Sequence, residues 1–241
     1  MLRSLRQRDL QPEVMDRPDL EVGRHRHALD ALALVNTLSQ SGKIVYRPIK
    51  AWARRQGIKK FRMLDVACGG GDVALDVQRR ACRDALHADV VGYDRSPTAV
   101  ERARERASRK PTNCRTDASF VEQDILQPLP ERAFDVVYCS LFLHHLDEVQ
   151  AVELLRNMAS ATKHLLVVND LVRSRLGYLA AKTVCTAVSK SDILRSDGPQ
   201  SVAGAFRTDE VRRLADRAGL HAATIRRTWP FRFFLTWETL S

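Results

Sequence analysis

The sequence of 241 residues has few aromatic residues, no paired cysteines and no long apolar run. No stretch approaches the roughly 20 apolar residues that cross a bilayer, and the N-terminus lacks an apolar core of signal-peptide length. No cluster of acids accompanies the histidines at ligand spacing, so a metal is not implied. The chain is therefore expected to be cytoplasmic, with no membrane span and no metal. The cysteines also show no Cys-x-x-Cys spacing, which argues against a disulfide framework; they are Cys68, Cys82, Cys114, Cys139 and Cys185.

The formal net charge of +10 raises the question of a nucleic-acid partner. Residues 1–60 hold 13 lysines and arginines against 6 acidic residues, so much of the excess lies there. A basic patch that follows phosphates is one interpretation. However, aromatic residues are only 6% of the chain and do not alternate with the basic ones, as a base-stacking surface requires. A solvated basic face is favoured, and a nucleic-acid partner is disfavoured.

A glycine-rich turn in Arg62–Asp72 follows a short apolar strand and precedes a segment with helical spacing of apolar residues. Glycine leaves the main chain bare where a nucleotide-type ligand must approach it. Gly69 and Gly71 fit the loose dinucleotide fingerprint, and Asp94 stands about 20 residues further on, where a ribose-binding carboxylate is expected. On this pattern alone, NAD remains a possible ligand.

Asp65, upstream of the glycines, completes the pattern Asp65-x-Ala67-x-Gly69-x-Gly71, which resembles motif I of the class I S-adenosylmethionine-dependent methyltransferases. In that family, position 67 is more often glycine. The segment Phe134–Asp147 resembles the family's Phe-Asp-x-Val … His-His-Leu block. The resemblance implies S-adenosylmethionine as cofactor and S-adenosylhomocysteine as product. It assigns cofactor contacts to Asp65, Ala67, Gly69, Gly71, Asp94, Arg95, Asp124, Ile125 and Ser140.

Within that set, the resemblance gives some residues particular roles. Asp65 would lie near the methionine end of the cofactor, and Asp94 would accept the ribose hydroxyls. Asp124, at the end of an expected third strand Ala118–Asp124, would bond the adenine amino group, and Ile125 would pack on the ring.

His144 and His145 follow the fourth expected strand, on the side where the methyl group is expected. Histidine has a suitable pKa for a general base, and His145 is the preferred candidate. The alternative is structural: one imidazole packs under the cofactor and the other bonds backbone. Asn169 and Asp170, at the end of the fifth strand, are candidate substrate contacts or helix caps. His25 is expected, like His27, on a polar helix face away from the substrate.

Alternating strand and helix patterns predict an α/β fold with a doubly wound sheet and a crevice at the carboxyl ends of its strands. The family resemblance adds seven strands, mostly parallel, of which the last is antiparallel. Residues 1–60 are expected to form an N-terminal helical cap, and residues 61–241 the methyltransferase domain. A long connection at about 171–206, with a turn at 196–199, is expected to act as a lid or as a packing element.

The leading functional prediction is methyl transfer to an oxygen of a small phenolic, quinoid or polyketide-like acceptor. RNA or protein methylation is an alternative that the basic N-terminal segment would serve. A regulatory protein that binds S-adenosylmethionine without catalysis is another. The oligomeric state does not follow from the sequence.

Overall fold

The computed structural model describes residues 5–17, 19–109, 116–188 and 191–239. Cys114 lies outside this part of the chain. Two short 3-10 turns, Val14–Asp16 and Leu143–His145, accompany the regular elements. The strands are β1 (Lys60–Val66), β2 (His87–Asp94), β3 (Ala118–Glu122), β4 (Phe134–Ser140), β5 (Thr162–Leu171), β6 (Thr224–Thr228) and β7 (Arg232–Glu238). The helices are α1 (Val22–Leu38), α2 (Ser41–Gln56), α3 (Asp72–Arg83), α4 (Pro97–Ser108), α5 (Glu148–Ala161), α6 (Arg175–Val188), α7 (Asp192–Gly204) and α8 (Thr208–Arg217).

The strands form one seven-stranded sheet in the order β3-β2-β1-β4-β5-β7-β6. The first five strands pair in parallel, and β7 runs antiparallel to both β5 and β6. This confirms the predicted doubly wound α/β sheet with an antiparallel last strand. The chain moves outward from β1 to β3 and then returns to β4 beside β1, so the strand order reverses there. A ligand crevice is expected at the carboxyl ends of β1 and β4.

Each face of the sheet is covered by its own hydrophobic cluster. One cluster joins β4 and β5 to α5 and α8 through buried side chains such as Leu154 and Leu214. The other joins β1 and β2 to α2 and α3, where Ile49 and Trp52 of α2 are almost fully buried. The amphipathic pattern of α2, α3, α5 and α8 accounts for this arrangement, because each of these four helices presents one apolar face to the sheet. Helix α2 therefore packs directly on the sheet.

The long connection after β5 is helical nearly throughout. Helices α6 and α7 occupy it, and the expected turn at 196–199 is wrong, because these residues lie inside α7. Gly198 and Pro199 suggest a turn locally. Pro199 is nevertheless buried within the helix, and packing against α6 overrides the local signal. Whether the segment acts as a lid stays a prediction, as does the division at residue 60.

Other sequence predictions have a clear position in the fold. Cys68 and Cys139 are free and buried in the two clusters, as expected of small packing residues. Within the described ranges, no helix combines the length and the apolar character that crossing a membrane requires.

Candidate active site

The turn after β1 has the backbone conformation that the glycine pattern predicts. Ala67, Gly69 and Gly71 have φ values of 57°, 52° and 73°, in the left-handed region that favours glycine. A Cβ on Gly71 would lie 2.8 Å from the Cβ of Ala103, so this position has no room for a side chain. A Cβ on Gly69 would meet no atom within 4 Å. The backbone at Gly69 therefore faces open space, as the approach of a ligand requires.

Asp94, at the end of β2, supports this turn. Its Oδ2 accepts a hydrogen bond from the Gly69 amide at 2.8 Å, and its Oδ1 accepts one from the Ser96 amide at 2.9 Å. Burial raises the pKa of Asp94, although these two amides act to lower it. Each carboxylate oxygen keeps a second lone pair, so Asp94 can brace the turn and also accept ribose hydroxyls.

Asp65, near the end of β1, is a buried carboxylate with a free oxygen. The residue is 1% exposed, and its Oδ2 has no hydrogen-bond partner in the described part of the chain. Burial raises the pKa of Asp65 well above its ordinary value, and the charges of Asp72 and Asp94 add to this effect. A cationic group placed beside that oxygen would compensate for the burial. The methionine end of S-adenosylmethionine carries such a group.

The adenine-side residues are placed differently from the expectation. The predicted third strand is present as β3, but it ends at Glu122, so the predicted strand end at Asp124 is wrong. Asp124 instead lies in an exposed turn, where its Oδ1 accepts a hydrogen bond from the Leu126 amide at 3.0 Å. A carboxylate that bonds the backbone two residues ahead favours a turn over a strand. Ile125 is 4% exposed and belongs to a core cluster. Their contacts with adenine stay predictions.

Ser140 and Asn169 link the ends of β4 and β5. The Asn169 amide nitrogen donates to the Ser140 hydroxyl at 3.0 Å, and the Asn169 carbonyl accepts from the Leu141 amide at 2.8 Å. Asn169 is fully buried. These bonds hold in place the loop that leads to the histidines.

His144 is held by Asp170, which the sequence suggested as a substrate contact. Asp170 Oδ1 lies 2.6 Å from His144 Nδ1, and its Oδ2 accepts the His144 amide at 3.0 Å. Burial acts to raise the pKa of Asp170, but contact with His144 outweighs it and lowers the pKa below its ordinary value. Asp170 is 1% exposed and His144 is 4% exposed. The carboxylate thus fixes the orientation of the imidazole.

His145 has its own carboxylate partner, Asp16, from the N-terminal segment. Its Nδ1 lies 2.7 Å from Asp16 Oδ2, and its ring stacks on Phe142. Burial acts to lower the pKa of His145, but the charges of Glu13 and Asp16 outweigh it and raise the pKa to about 9. At neutral pH this imidazole holds a proton in the ligand-free protein, which does not suit a simple general base.

Glu13 was not identified from the sequence. Its carboxylate lies 3.7 Å from His144 Nε2 and 3.9 Å from His145 Nε2. Glu13 and Asp16 lie about 130 positions before the histidines in the sequence. The signal that could have identified them is that they are acidic residues within a basic segment. A cavity of about 500 Å³ lies here. We call it the histidine pocket; its lining includes Glu13, Asp16, Arg95, His144, His145 and Ser201.

The two histidines of α1 differ in position. His25 is half-buried, and burial lowers its pKa although the charges of Asp94 and Asp16 act to raise it. His27 is exposed. The side chain of His25 therefore lies within electrostatic reach of Asp94 and Asp16, and whether it reaches the substrate stays a prediction.

Comparison with known proteins agrees with this geometry. Residues 63–164 match the family described as "Methyltransferase domain". Demethylmenaquinone methyltransferase of Deinococcus radiodurans is 38% identical over 80 residues, which cover 33% of this chain and 30% of that protein. Ubiquinone biosynthesis O-methyltransferase of Alkalilimnicola ehrlichii is 32% identical over 126 residues, which cover 52% of this chain and 47% of that protein. The match thus spans less than half the length of either relative.

The fold is also found in solved structures. Human N-acetylserotonin methyltransferase, in complex with S-adenosylmethionine, superposes with a TM-score of 0.64 at 15% identity and covers 92% of this chain and 57% of that one. At this identity the likeness concerns the fold. The recognition from sequence agrees with these findings: residues 63–164 match the methyltransferase-domain family, and the fold is shared with S-adenosylmethionine-dependent methyltransferases of known structure.

Proposed function

We propose that this protein transfers a methyl group from S-adenosylmethionine to an oxygen atom of a small acceptor bound in the histidine pocket. The position of that pocket carries the proposal. Its wall includes Arg95, the residue after the cofactor carboxylate Asp94, and also His144 and His145 after β4. The pocket therefore adjoins the expected cofactor crevice.

The cofactor side of the proposal rests on the turn after β1. When bound, S-adenosylmethionine supplies a methyl group on a positively charged sulfonium. Asp65, with its unpartnered buried oxygen, would hold the ammonium of the methionine end. Asp94 would accept the ribose hydroxyls, and the bare backbone at Gly69 would lie against the cofactor. Asp124 and Ile125 remain the candidates for the adenine.

The acceptor side rests on the size and the polar groups of the histidine pocket. Its volume of about 500 Å³ lies within the range of small-molecule sites. Holding the hydroxyl in line with the methyl group can supply roughly 7–11 kcal/mol of the rate enhancement. Glu13 and His144 would accept the proton of that hydroxyl, and His145, which is protonated in the ligand-free protein, would stabilise the oxyanion that forms. Because Asp170 is buried and bonded to His144, we assign it a positioning role.

The acceptor class follows from the names of the relatives. One is a demethylmenaquinone methyltransferase, and another is an O-methyltransferase of ubiquinone biosynthesis. These names favour a phenolic or quinoid acceptor. The test is calorimetry with S-adenosylmethionine, followed by transfer of labelled methyl to hydroquinones, polyketide phenols, total RNA and acidic proteins. Transfer to RNA or protein, or binding without any transfer, would contradict the proposal.

A variant at His145 tests the role of the histidine pocket. His145→Ala is expected to lower kcat by about 10²–10³-fold, because it removes a positive charge that would stabilise the oxyanion. Its affinity for S-adenosylmethionine should stay close to that of the wild type, because His145 contacts Asp16 and Phe142, which are not among the proposed cofactor residues. His221→Ala is the matched control, since that side chain is 78% exposed. Unchanged turnover in His145→Ala would remove the residue from the mechanism.

A further inference from the structure

Three metal-ligating side chains converge in the histidine pocket. Glu13, His144 and His145 each offer one ligand atom, and these atoms lie within 4.8 Å of one another. The Glu13 carboxylate is 3.7 Å from His144 Nε2 and 3.9 Å from His145 Nε2. The three residues come from two segments that are far apart in the sequence, so no short sequence motif indicates the cluster.

Each histidine is oriented by a further carboxylate. Asp170 is bonded to Nδ1 of His144 at 2.6 Å, and Asp16 is bonded to Nδ1 of His145 at 2.7 Å. Because an ionised carboxylate only accepts, these bonds place hydrogen on Nδ1 of both rings. The Nε2 atoms are then left to face Glu13. Metal-bound histidines have this arrangement, in which the second ring nitrogen donates to a carboxylate that fixes the ring.

Glu13 is itself held in position. The Ser201 hydroxyl of α7 donates to Glu13 Oε1 at 2.5 Å, and Glu13 is 8% exposed. A divalent cation between the three groups could bind the Glu13 carboxylate and both Nε2 atoms, and it would displace any proton that an Nε2 atom carries. Glu13, Asp16 and Asp170 also place three carboxylates around the two rings, and Arg95 lies on the wall of the same pocket.

We propose that Glu13, His144 and His145 bind a divalent first-row transition metal ion. Two imidazoles with one carboxylate suit Zn²⁺, Co²⁺ or Fe²⁺ better than Mg²⁺ or Ca²⁺, which prefer oxygen ligands. Metal-ligand distances of about 2.0–2.2 Å require the three ligand atoms to move slightly closer. Three protein ligands leave coordination positions for other molecules, and the histidine pocket lies beside them.

The role of the metal in the reaction rests on the proposed function. If the acceptor occupies the histidine pocket, its hydroxyl oxygen can fill an open position on the metal. A hydroxyl that contacts a divalent cation loses its proton more readily. The binding of the metal itself requires only the residues described above.

The test is titration of the full-length, EDTA-treated protein with Co²⁺, followed by visible absorption and calorimetry. One Co²⁺ per chain is expected, and Zn²⁺ should displace it. Glu13→Gln should weaken binding at least tenfold, and Asp16→Asn should weaken it about 10–100-fold through the loss of ring orientation. His221→Ala, which removes an exposed histidine, should bind like the wild type. Circular dichroism and S-adenosylmethionine affinity establish that each variant is folded.

Several outcomes would overturn the metal site. These are substoichiometric Co²⁺ binding, wild-type binding in Glu13→Gln, loss of binding in His221→Ala, or a preference for Mg²⁺. The two proposals fail separately. Cobalt binding without S-adenosylmethionine binding would remove the proposed function alone, whereas methyl transfer by a protein that binds no Co²⁺ in the titration would remove the metal site alone.

Discussion

Ala67 shows how a single residue can depart from a pattern and still serve it. The position takes a left-handed conformation, with φ at 57°, where the resembling enzymes more often have glycine. Such a conformation costs an L-residue roughly 1–2 kcal/mol. The glycine pattern therefore identified a backbone requirement, and alanine meets it at an energetic cost because it is the smallest residue with a Cβ.

Asp65 leads to a prediction about pH. Burial raises its pKa in the free protein, and a bound cation would lower it, so cofactor binding should release a proton. The affinity for S-adenosylmethionine should rise with pH until Asp65 is ionised in the free protein. Calorimetry in buffers from about pH 5 to about pH 9 measures this dependence. Histidines also titrate in this range, so a matched variant is needed.

The matched variant for this measurement is Asp65→Asn. It should bind the cofactor at least tenfold more weakly, and its affinity should depend less steeply on pH. The histidines near the site affect the wild type and Asp65→Asn equally. The difference between their slopes of cofactor affinity against pH is therefore due to Asp65. Equal slopes would contradict the assignment of this carboxylate to the cationic end of the cofactor.

At the scale of elements, the 3-10 turn Val14–Asp16 is attached to α7 by one side chain. Asp197 of α7 accepts hydrogen bonds from the amides of Val14 and Met15, at 3.1 and 3.0 Å. Asp197 is 3% exposed. The turn carries Asp16 and follows Glu13, so this attachment helps to build the histidine pocket from two distant parts of the chain.

Asp197→Ala should release the turn without unfolding the sheet. Loss of hydrogen bonds to a charged group costs about 1.5–3 kcal/mol. Hydrogen exchange by mass spectrometry should show faster exchange in peptides that cover Val14 and Met15, with β4 and β5 unchanged. The control is Asp192→Ala on the same helix, where the side chain is 77% exposed. Equal exchange in the two variants would show that Asp197 does not hold the turn.

At the scale of the whole molecule, α2 belongs to a core that also contains the central strands. Ile49 is fully buried in the same cluster as Met63 of β1 and Val136 of β4. Residues 1–60 were predicted as an N-terminal helical cap, and that division stays a prediction. Because α2 packs on the sheet, we expect α2 and the sheet to unfold in one transition.

Ile49→Ala should lower the free energy of unfolding by about 2–5 kcal/mol, because it leaves a cavity between α2 and the sheet. Urea denaturation followed by tryptophan fluorescence and circular dichroism should show a single transition at lower urea for both signals. Val149→Ala on α5, at a residue 68% exposed, should change stability little. Separate transitions for the two signals would indicate an independent N-terminal unit.

Short-range patterns in the sequence were enough to predict the alternation of strands and helices, the glycine turn and the strand ends that carry Asp65 and Asp94. The number of strands and the antiparallel last strand came from the family resemblance. Apolar runs, glycines with positive φ and helix signals depend on neighbouring residues, so they can be read along the chain. The turn at Asp124 is local, because it is formed by the hydrogen bond from the Leu126 amide to the Asp124 carboxylate.

Tertiary structure decided two other features. Residues 196–199 are helical within α7, and Glu13 and Asp16 meet the histidines across about 130 positions. Such contacts depend on how distant elements pack, and no local pattern encodes them.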